Sequence, residues 1–80
     1  MKHKVGDLVY YDRHGLGIIT KIRSITEVKD MVDASLRGYF NECPYQVEWV
    51  GNGGMIQHFT EQEITGLKVQ LDTYEQASSR

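Results

Sequence analysis

The stretch YQVEWVGNGGMIQHF, residues 45–59, constrains the fold of this 80-residue chain more than any other segment. Its first six residues alternate between larger apolar side chains and mostly polar ones, the period of two that a half-buried strand requires. Asn52-Gly53 follows, and this dipeptide is the strongest short signal for a β-hairpin. The segment therefore predicts two antiparallel strands, 45–50 and 55–59, joined by a tight turn.

A second hairpin is predicted near the start of the chain, in KVGDLVYYDRHGLGIITKI, residues 4–22. Two runs of β-forming residues flank a turn in which Asp12 can hydrogen-bond the local backbone and Gly15 supplies a positive φ. Gly17 opens the second strand, where a glycine often marks a bulge or a close approach of two backbones. The three features predict a strand, a tight turn and a sharply bent second strand.

Residues 24–44 allow two interpretations. Ser24 and Glu27 have the spacing of a capping box, and apolar residues follow at helical intervals up to Gly38, which can end a helix. This pattern favours a short helix near 26–37. In the alternative, the β-forming residues prolong the preceding strand. In both cases the segment is a long insertion between strands, and long loops often carry function.

The last part of the chain predicts one helical turn, one strand and a tail. The sequence TEQE has capping-box spacing and indicates a 3-10 turn near 60–63, after which TGLKV, residues 65–69, predicts a final strand. The polar residues 71–80 are predicted to form a tail, in which Leu71 and Tyr74 can dock as a short helix.

These elements predict a mainly β fold. Four or five short strands separated by turn signals are typical of small barrels, and closure into a barrel removes the exposed strand edges. We therefore expect one small barrel of about five strands over residues 1–70, with the insertion at 24–44 and the tail at 71–80.

The order of the motifs resembles small SH3-like β-barrel proteins. GDLV (6–9), GLGI (15–18), YQVEW (45–49) and HFTEQEI (58–64) are similar to the strand, strand, hairpin and 3-10 turn of that family, notably of short uncharacterised bacteriophage proteins of the cyanophage type. Residues 5–22 also look like a KOW element, and the later motifs echo the barrels of the photosystem I stromal subunit and the ferredoxin–thioredoxin reductase variable chain. The resemblance implies a fold and says little about function.

No motif for catalysis, metal binding or cofactor binding is recognisable in the sequence. The candidate metal ligands His3, His14, Cys43 and His58 stand singly, whereas zinc sites usually take ligands in close pairs. Cys43 has no base placed beside it by the sequence, and GNGG is a turn rather than a phosphate-binding loop. We therefore expect a protein that is not an enzyme and that has no cofactor.

The sequence also predicts a cytoplasmic protein with no membrane partner. No apolar run approaches the roughly 20 residues of a membrane helix, and MKHKVGDL lacks the apolar core of a signal peptide. The single cysteine cannot form an internal disulfide, which fits a reducing compartment. If the chain is phage-encoded, that compartment is the cytoplasm of the host cell.

Charge is distributed unevenly along the chain. Residues 1–23 carry five Lys or Arg against two Asp, a net charge of +3, whereas residues 24–80 carry four against nine acidic residues, a net charge of −5. Such asymmetry indicates either an ordinary solvated surface or a polar face that binds a partner.

Five residues on the two predicted hairpins are candidates for a binding site. Tyr10 is predicted to point away from the core, Arg13 and His14 lie on the first turn, and Trp49 is either a core residue or a binding platform at the barrel mouth. His58 either joins them or is an ordinary strand residue.

These candidates lead to three hypotheses about function. We favour a non-enzymatic protein-interaction module, an accessory factor that binds a host or viral protein. The alternative is a KOW-like barrel that binds nucleic acid through its basic N-terminal strands. The third is an accessory subunit of an electron-transfer complex.

Overall fold

The computed structural model describes residues 3–78, which form one four-stranded antiparallel sheet and three α-helices. The strands lie in the sheet in the order in which they occur in the chain: β1 (Leu8–Tyr11), β2 (Gly15–Ile22), β3 (Tyr45–Trp49) and β4 (Met55–Phe59). The helices are α1 (Ile25–Lys29), α2 (Ala34–Glu42) and α3 (Glu61–Ser78), and a 3-10 turn, Val50–Asn52, lies between β3 and β4.

The fold is mixed α/β, so the prediction of a mainly β, closed barrel of about five strands is wrong. The sheet is open, and α3 covers it in place of a fifth strand. The predicted 3-10 turn near 60–63 and the predicted strand at 65–69 both belong to α3. The reason is a helical apolar stripe, because Ile64, Leu67 and Leu71 are all buried at intervals of three and four residues.

The predicted tail is also largely helical. The expected boundary at residue 70 falls inside α3, where Leu71 is buried and the Tyr74 ring stacks on Tyr10. Docking of these two side chains as a helix was the alternative that the sequence allowed. Residues 79 and 80 lie outside the described residues.

The core occupies the face of the sheet that α3 covers. Val9, Gly17, Trp49 and Met55 form one row across all four strands, because the register places each opposite the next. A Cβ atom on Gly17 would lie 2.6 Å from the Trp49 ring, so glycine is required here by the close approach of backbone and indole. The buried apolar residues of this core are Val9, Ile19, Tyr45, Val47, Trp49, Ile64 and Leu67.

Strand β2 contains a bulge after Ile19 rather than at Gly17. The register shifts between Ile19 and Lys21, and this shift returns Ile22 to the inner face, opposite Tyr45. Ile22 then packs against the core although simple alternation from Ile19 would point it outward.

The predicted hairpin of β3 and β4 is confirmed, with a longer connection than a two-residue turn. Gly53 has a φ of 67°, the left-handed region that favours glycine, and the Gly54 N–H donates to the Trp49 carbonyl at 3.1 Å. This six-to-one bond over a left-handed residue is the Schellman arrangement that ends a helical turn. The 3-10 turn and its glycine cap therefore reverse the chain and set the β3–β4 register.

The insertion between β2 and β3 contains two short helices instead of one helix near 26–37. Ser24 caps α1 as expected, since its hydroxyl accepts from the Glu27 N–H at 3.2 Å. Asp33 begins α2, and its carboxylate accepts from the backbone N–H groups of the next turn. Gly38 lies inside α2 rather than at a helix end.

Candidate functional site

The five predicted site residues lie in different parts of the structure. Arg13 and His14 are neighbours on the turn between β1 and β2, and both face a groove. Tyr10 packs on α3, Trp49 is fully buried, and His58 contacts α2. Two of the five residues, Arg13 and His14, therefore lie together at one surface groove.

The groove beside the first turn, called here the Arg13 groove, is open and has a volume of about 500 Å³. Three separate segments form it: the turn between β1 and β2, strand β4, and the first three turns of α3. The lining side chains are Tyr11, Arg13, His14, Gln57, Phe59, Glu63, Leu67 and Gln70, with Gly66.

The floor of the Arg13 groove is apolar and its rim is polar. Tyr11 and Phe59 are half-buried and pack against the core, and Leu67 belongs to it. Arg13 is exposed, and no carboxylate of residues 3–78 pairs with its guanidinium. The Glu63 carboxylate is held by the helix start, because it accepts from the Thr60 N–H at 2.9 Å. The groove thus combines an apolar floor with an unpaired positive charge at its rim.

His14 holds the rim of the groove in place. Its ring centroid lies 5.2 Å from that of Trp49 and 5.5 Å from that of Tyr11. The Asn52 amide nitrogen lies 3.1 Å from His14 Nδ1, within hydrogen-bond distance. His14 therefore joins the turn of the first hairpin to the loop of the second.

Trp49 is a core residue, so the hypothesis of a binding platform is wrong for it. The side chain has no exposed surface, and its indole N–H donates to Gln57 Oε1 at 3.0 Å. The Phe59 ring meets the indole edge-on with centroids 6.0 Å apart. Trp49 acts on the groove indirectly, by supporting His14 and Phe59.

Tyr10 does not share a site with Arg13. Its ring stacks on Tyr74 with centroids 4.5 Å apart and an angle of 17° between the planes. Tyr10 and Tyr11 point to opposite faces of β1, as adjacent strand residues do, and only Tyr11 lines the Arg13 groove. Tyr10 instead fastens the far end of α3 to the sheet.

His58 lies on the outer face of the sheet, beneath α2. Its ring meets the rings of Tyr39 and Phe40 edge-on, with centroids 5.7 and 5.1 Å apart. Burial lowers the pKa of His58, and the nearby Arg23 guanidinium lowers it further. The ring is therefore favoured in its neutral form, which suits packing against aromatic side chains.

The structure also contains a polar cluster that the sequence analysis missed. His3 is buried, its Nε2 lies 3.1 Å from Thr65 Oγ1, and its ring meets Tyr45 edge-on. The Tyr45 hydroxyl donates to the Glu61 carboxylate, and burial, followed by this carboxylate, raises the pKa of Tyr45. These contacts tie the start of the described chain to the start of α3. No local pattern signals them, since the hydrogen-bonded partners are 62 residues apart for His3 and Thr65 and 16 apart for Tyr45 and Glu61.

Within residues 3–78 no three His, Cys, Asp or Glu side chains gather as metal ligands would. Burial raises the pKa of the Cys43 thiol, with smaller contributions from Glu63 and Glu42, so the protonated thiol is favoured. Over the same span no helix has the length and apolar character needed to cross a bilayer.

Comparison with protein-family models, with curated proteins and with solved structures gives no match for this chain. Inference about function therefore starts from the Arg13 groove and its surroundings.

Proposed function

We propose that this protein is a non-enzymatic interaction module, an accessory factor that binds another protein through the Arg13 groove. One observation carries the proposal: an apolar floor of Tyr11, Phe59 and Leu67 lies beside the guanidinium of Arg13, which pairs with no carboxylate of residues 3–78. Aromatic residues and arginine are the side chains that most often dominate binding energy at protein interfaces. The groove is preformed, because core residues and the His14–Asn52 hydrogen bond hold its walls.

Two basic residues of the first strands, Lys21 and Arg23, lie away from Arg13. Arg23 stacks its guanidinium on Phe40, 4.0 Å from the ring centroid, and donates to Gln46. Lys21 stands near the opposite end of β2 from the first turn, roughly 20 Å from it at about 3.3 Å per residue. Arg13 is thus separated from the other strand cations, which favours a protein partner over a phosphate backbone.

The test is capture of a partner from nuclease-treated host lysate by immobilised protein, with Arg13→Glu as the variant. We expect capture to fall about tenfold or more, because reversing an interface charge removes one attraction and adds a repulsion. The melting temperature should stay close to that of the parent protein, since Arg13 is exposed.

The matched control is Asp30→Lys. Asp30 is exposed and follows α1, where a positive charge suits the helix end, so both stability and capture should be preserved. Asp33 is unsuitable as a control because its carboxylate caps α2. If Arg13→Glu captures as much partner as the parent protein does, the proposed function is wrong. Capture that occurs only from a parallel lysate without nuclease treatment, and that collapses with rising salt, would instead indicate a nucleic-acid ligand.

A further inference from the structure

The two edges of the sheet differ in what lies beside them. α3 packs along β1, whereas β4 has β3 as its extensive neighbour among the described elements. Between described residues, no backbone hydrogen bond outside the helices and strands involves Ile56 or His58. β4 is therefore an edge strand whose outer side faces no other strand of the described chain.

The backbone groups on this outer side follow from the hydrogen-bonding register. Ile19 bonds toward β1, because its N–H donates to the Asp7 carbonyl at 2.9 Å and its carbonyl accepts from Gly6 at 2.8 Å. Successive residues of an antiparallel strand bond in opposite directions. Ile18 therefore bonds toward β3, where its partner is Glu48.

The same alternation carries across the next strand. Since Glu48 bonds toward β2, Val47 bonds toward β4, where its partner is Gln57. The backbone N–H and C=O groups of Gln57 therefore point toward β3, and those of Ile56 and His58 point away from the sheet. Two N–H donors and two carbonyl acceptors are left on the free edge, spaced for pairing with one more strand.

The sequence of β4 lacks the usual means of protecting a free edge. Proteins commonly place lysine, proline or a bulge on an edge strand to prevent pairing with other chains. β4 reads MIQHF, with no proline, no formally charged residue and a regular register against β3. Ile56 is half exposed on its outer face.

Clefts lie on both sides of this strand. On the inner side Gln57 and Phe59 line the Arg13 groove. On the outer side a second cleft of about 270 Å³, the Tyr39 cleft, is lined by Tyr39 and by the consecutive residues 56–59. Consecutive residues point to alternate faces, so a cleft that all four line runs along the edge itself. An added strand would lie in the Tyr39 cleft and would place its inward side chains in the Arg13 groove.

We propose that an extended, acidic segment of a partner protein adds to the sheet as a fifth strand, paired with the backbone of Ile56 and His58. Its inward side chains enter the Arg13 groove, with an apolar side chain on Phe59 and a carboxylate at Arg13. This is recognition by strand addition, in which main-chain hydrogen bonds give affinity and side-chain pockets give specificity. The proposal rests on the proposed function and specifies how the partner binds.

Charge favours this occupant over a second copy of the chain. Edge-to-edge pairing of two copies would bring a second MIQHF strand to the groove, and that strand contains no carboxylate. The Arg13 guanidinium would then stay unpaired beside an interface. A partner segment that carries an apolar and an acidic residue two positions apart, and so on the same face, satisfies both the backbone edge and the charge.

The probe is a displayed library of random decapeptides, selected on the immobilised protein and followed by synthesis of the tightest peptide. We expect the selected peptides to share an apolar residue and an aspartate or glutamate two positions apart, which lie on the same face of a strand. Binding is then measured with Ile56→Pro, which removes an outward N–H, and with Ile56→Ala as the matched control for the lost side chain. Proline is tolerated on a strand edge where the missing N–H faces outward.

Ile56→Pro should weaken binding about tenfold or more relative to Ile56→Ala, since one hydrogen bond is lost and the proline ring obstructs the incoming strand. If Ile56→Pro fails to fold, N-methylation of the peptide supplies the test on the parent protein. Methyl groups on the amides that face β4 should weaken binding about tenfold, and methyl groups on the alternate amides should change it less than about threefold.

The outcomes separate this proposal from the one on which it rests. If Arg13→Glu abolishes peptide binding and partner capture while Ile56→Pro and N-methylation do not matter, the groove is the site and strand addition is wrong. If none of the changes matters, both proposals are wrong. Failure of the library to yield peptides with an apolar and an acidic residue two positions apart overturns strand addition alone, and so does a dimer in sedimentation velocity that Ile56→Pro dissociates.

Discussion

The two edge strands of the sheet, β1 and β4, differ in whether another element of the described chain packs along them. β1 lies under α3, which is fastened to it by the Lys68–Asp7 ion pair at 3.0 Å and by the stack of Tyr74 on Tyr10. β4 has one strand neighbour, and its outward backbone groups face no described strand.

This difference follows from the small size of the chain. A chain near this size buries only about 60% of its unfolded surface, so one long amphipathic helix is a large share of what is available to cover a sheet. That helix supplies Ile64 and Leu67 to the core and lies along β1. The edge that contains β4 is left for intermolecular contact, next to the Arg13 groove.

The largest effect should come from removing the packing that holds α3 in place. Ile64→Ala deletes a fully buried side chain from the core and should lower the free energy of unfolding by about 2–5 kcal/mol. Urea denaturation followed by circular dichroism measures it. Val69→Ala on the exposed side of α3 is the control, expected within about 0.5 kcal/mol of the parent protein. A small loss for Ile64→Ala would mean that α3 does not support the β1 side of the sheet.

On the β4 side, stability depends on the loop that sets the hairpin register. Gly53→Val puts a β-branched side chain at a φ of 67° and should cost about 1 kcal/mol or more. Gly53→Asn is the control, because asparagine tolerates the left-handed region. Thermal unfolding measures both, and an unchanged melting temperature for Gly53→Val would show that the left-handed cap is not needed to hold β4.

The ion pair between Asp7 and Lys68 should also give the β1 side of the sheet a pH dependence in the acid range. The hydrogen bond from Lys68 holds the pKa of Asp7 below its ordinary value of 3.8, and the Lys4 N–H adds to this effect. The carboxylate is thus favoured in the folded state, so its stabilisation is present above pH 3.8 and is lost as pH falls through the lower folded pKa. Melting temperatures between about pH 5 and pH 2 should fall less steeply for Asp7→Asn than for the parent protein. Parallel curves would contradict a role for this pair.

The mildest experiment leaves the sequence unchanged and measures amide hydrogen exchange along β4. The outward N–H groups of Ile56 and His58 should exchange about tenfold faster than that of Gln57, which is bonded to β3. β1 should show no such contrast of comparable size, because α3 packs along that strand. Equal protection at residues 56, 57 and 58 would mean that the β4 edge is covered in solution.

The local elements of the hairpins were predictable from the sequence, whereas the choice of edge was not. Alternation in 45–50 and the Asn52-Gly53 signal correctly predicted β3, β4 and their pairing. The apolar residues of α3 were ambiguous, because Leu67 and Leu71 fit both a period of two and a helical stripe that begins at Ile64. Burial against the open sheet decides between them, and that information is not local.

The candidate site was predicted in part for a similar reason. Arg13 and His14 are adjacent in sequence, so one turn signal located both. Phe59 and Leu67 reach the same groove from other elements, and only the tertiary fold brings them there. Tyr10 was correctly predicted to leave the core, but its partner Tyr74 came from a segment expected to be a tail.

The hydrogen bond from Trp49 to Gln57 gives the protein an optical reporter of its own. Trp49 is the only tryptophan of the chain, it has no exposed surface, and its indole N–H ends on a side chain of β4. Its fluorescence should therefore be characteristic of an apolar environment and should respond when β4 shifts or separates from β3. Titrations of peptides against the unlabelled protein can be followed by this emission alone, without attaching a dye near the surface under study.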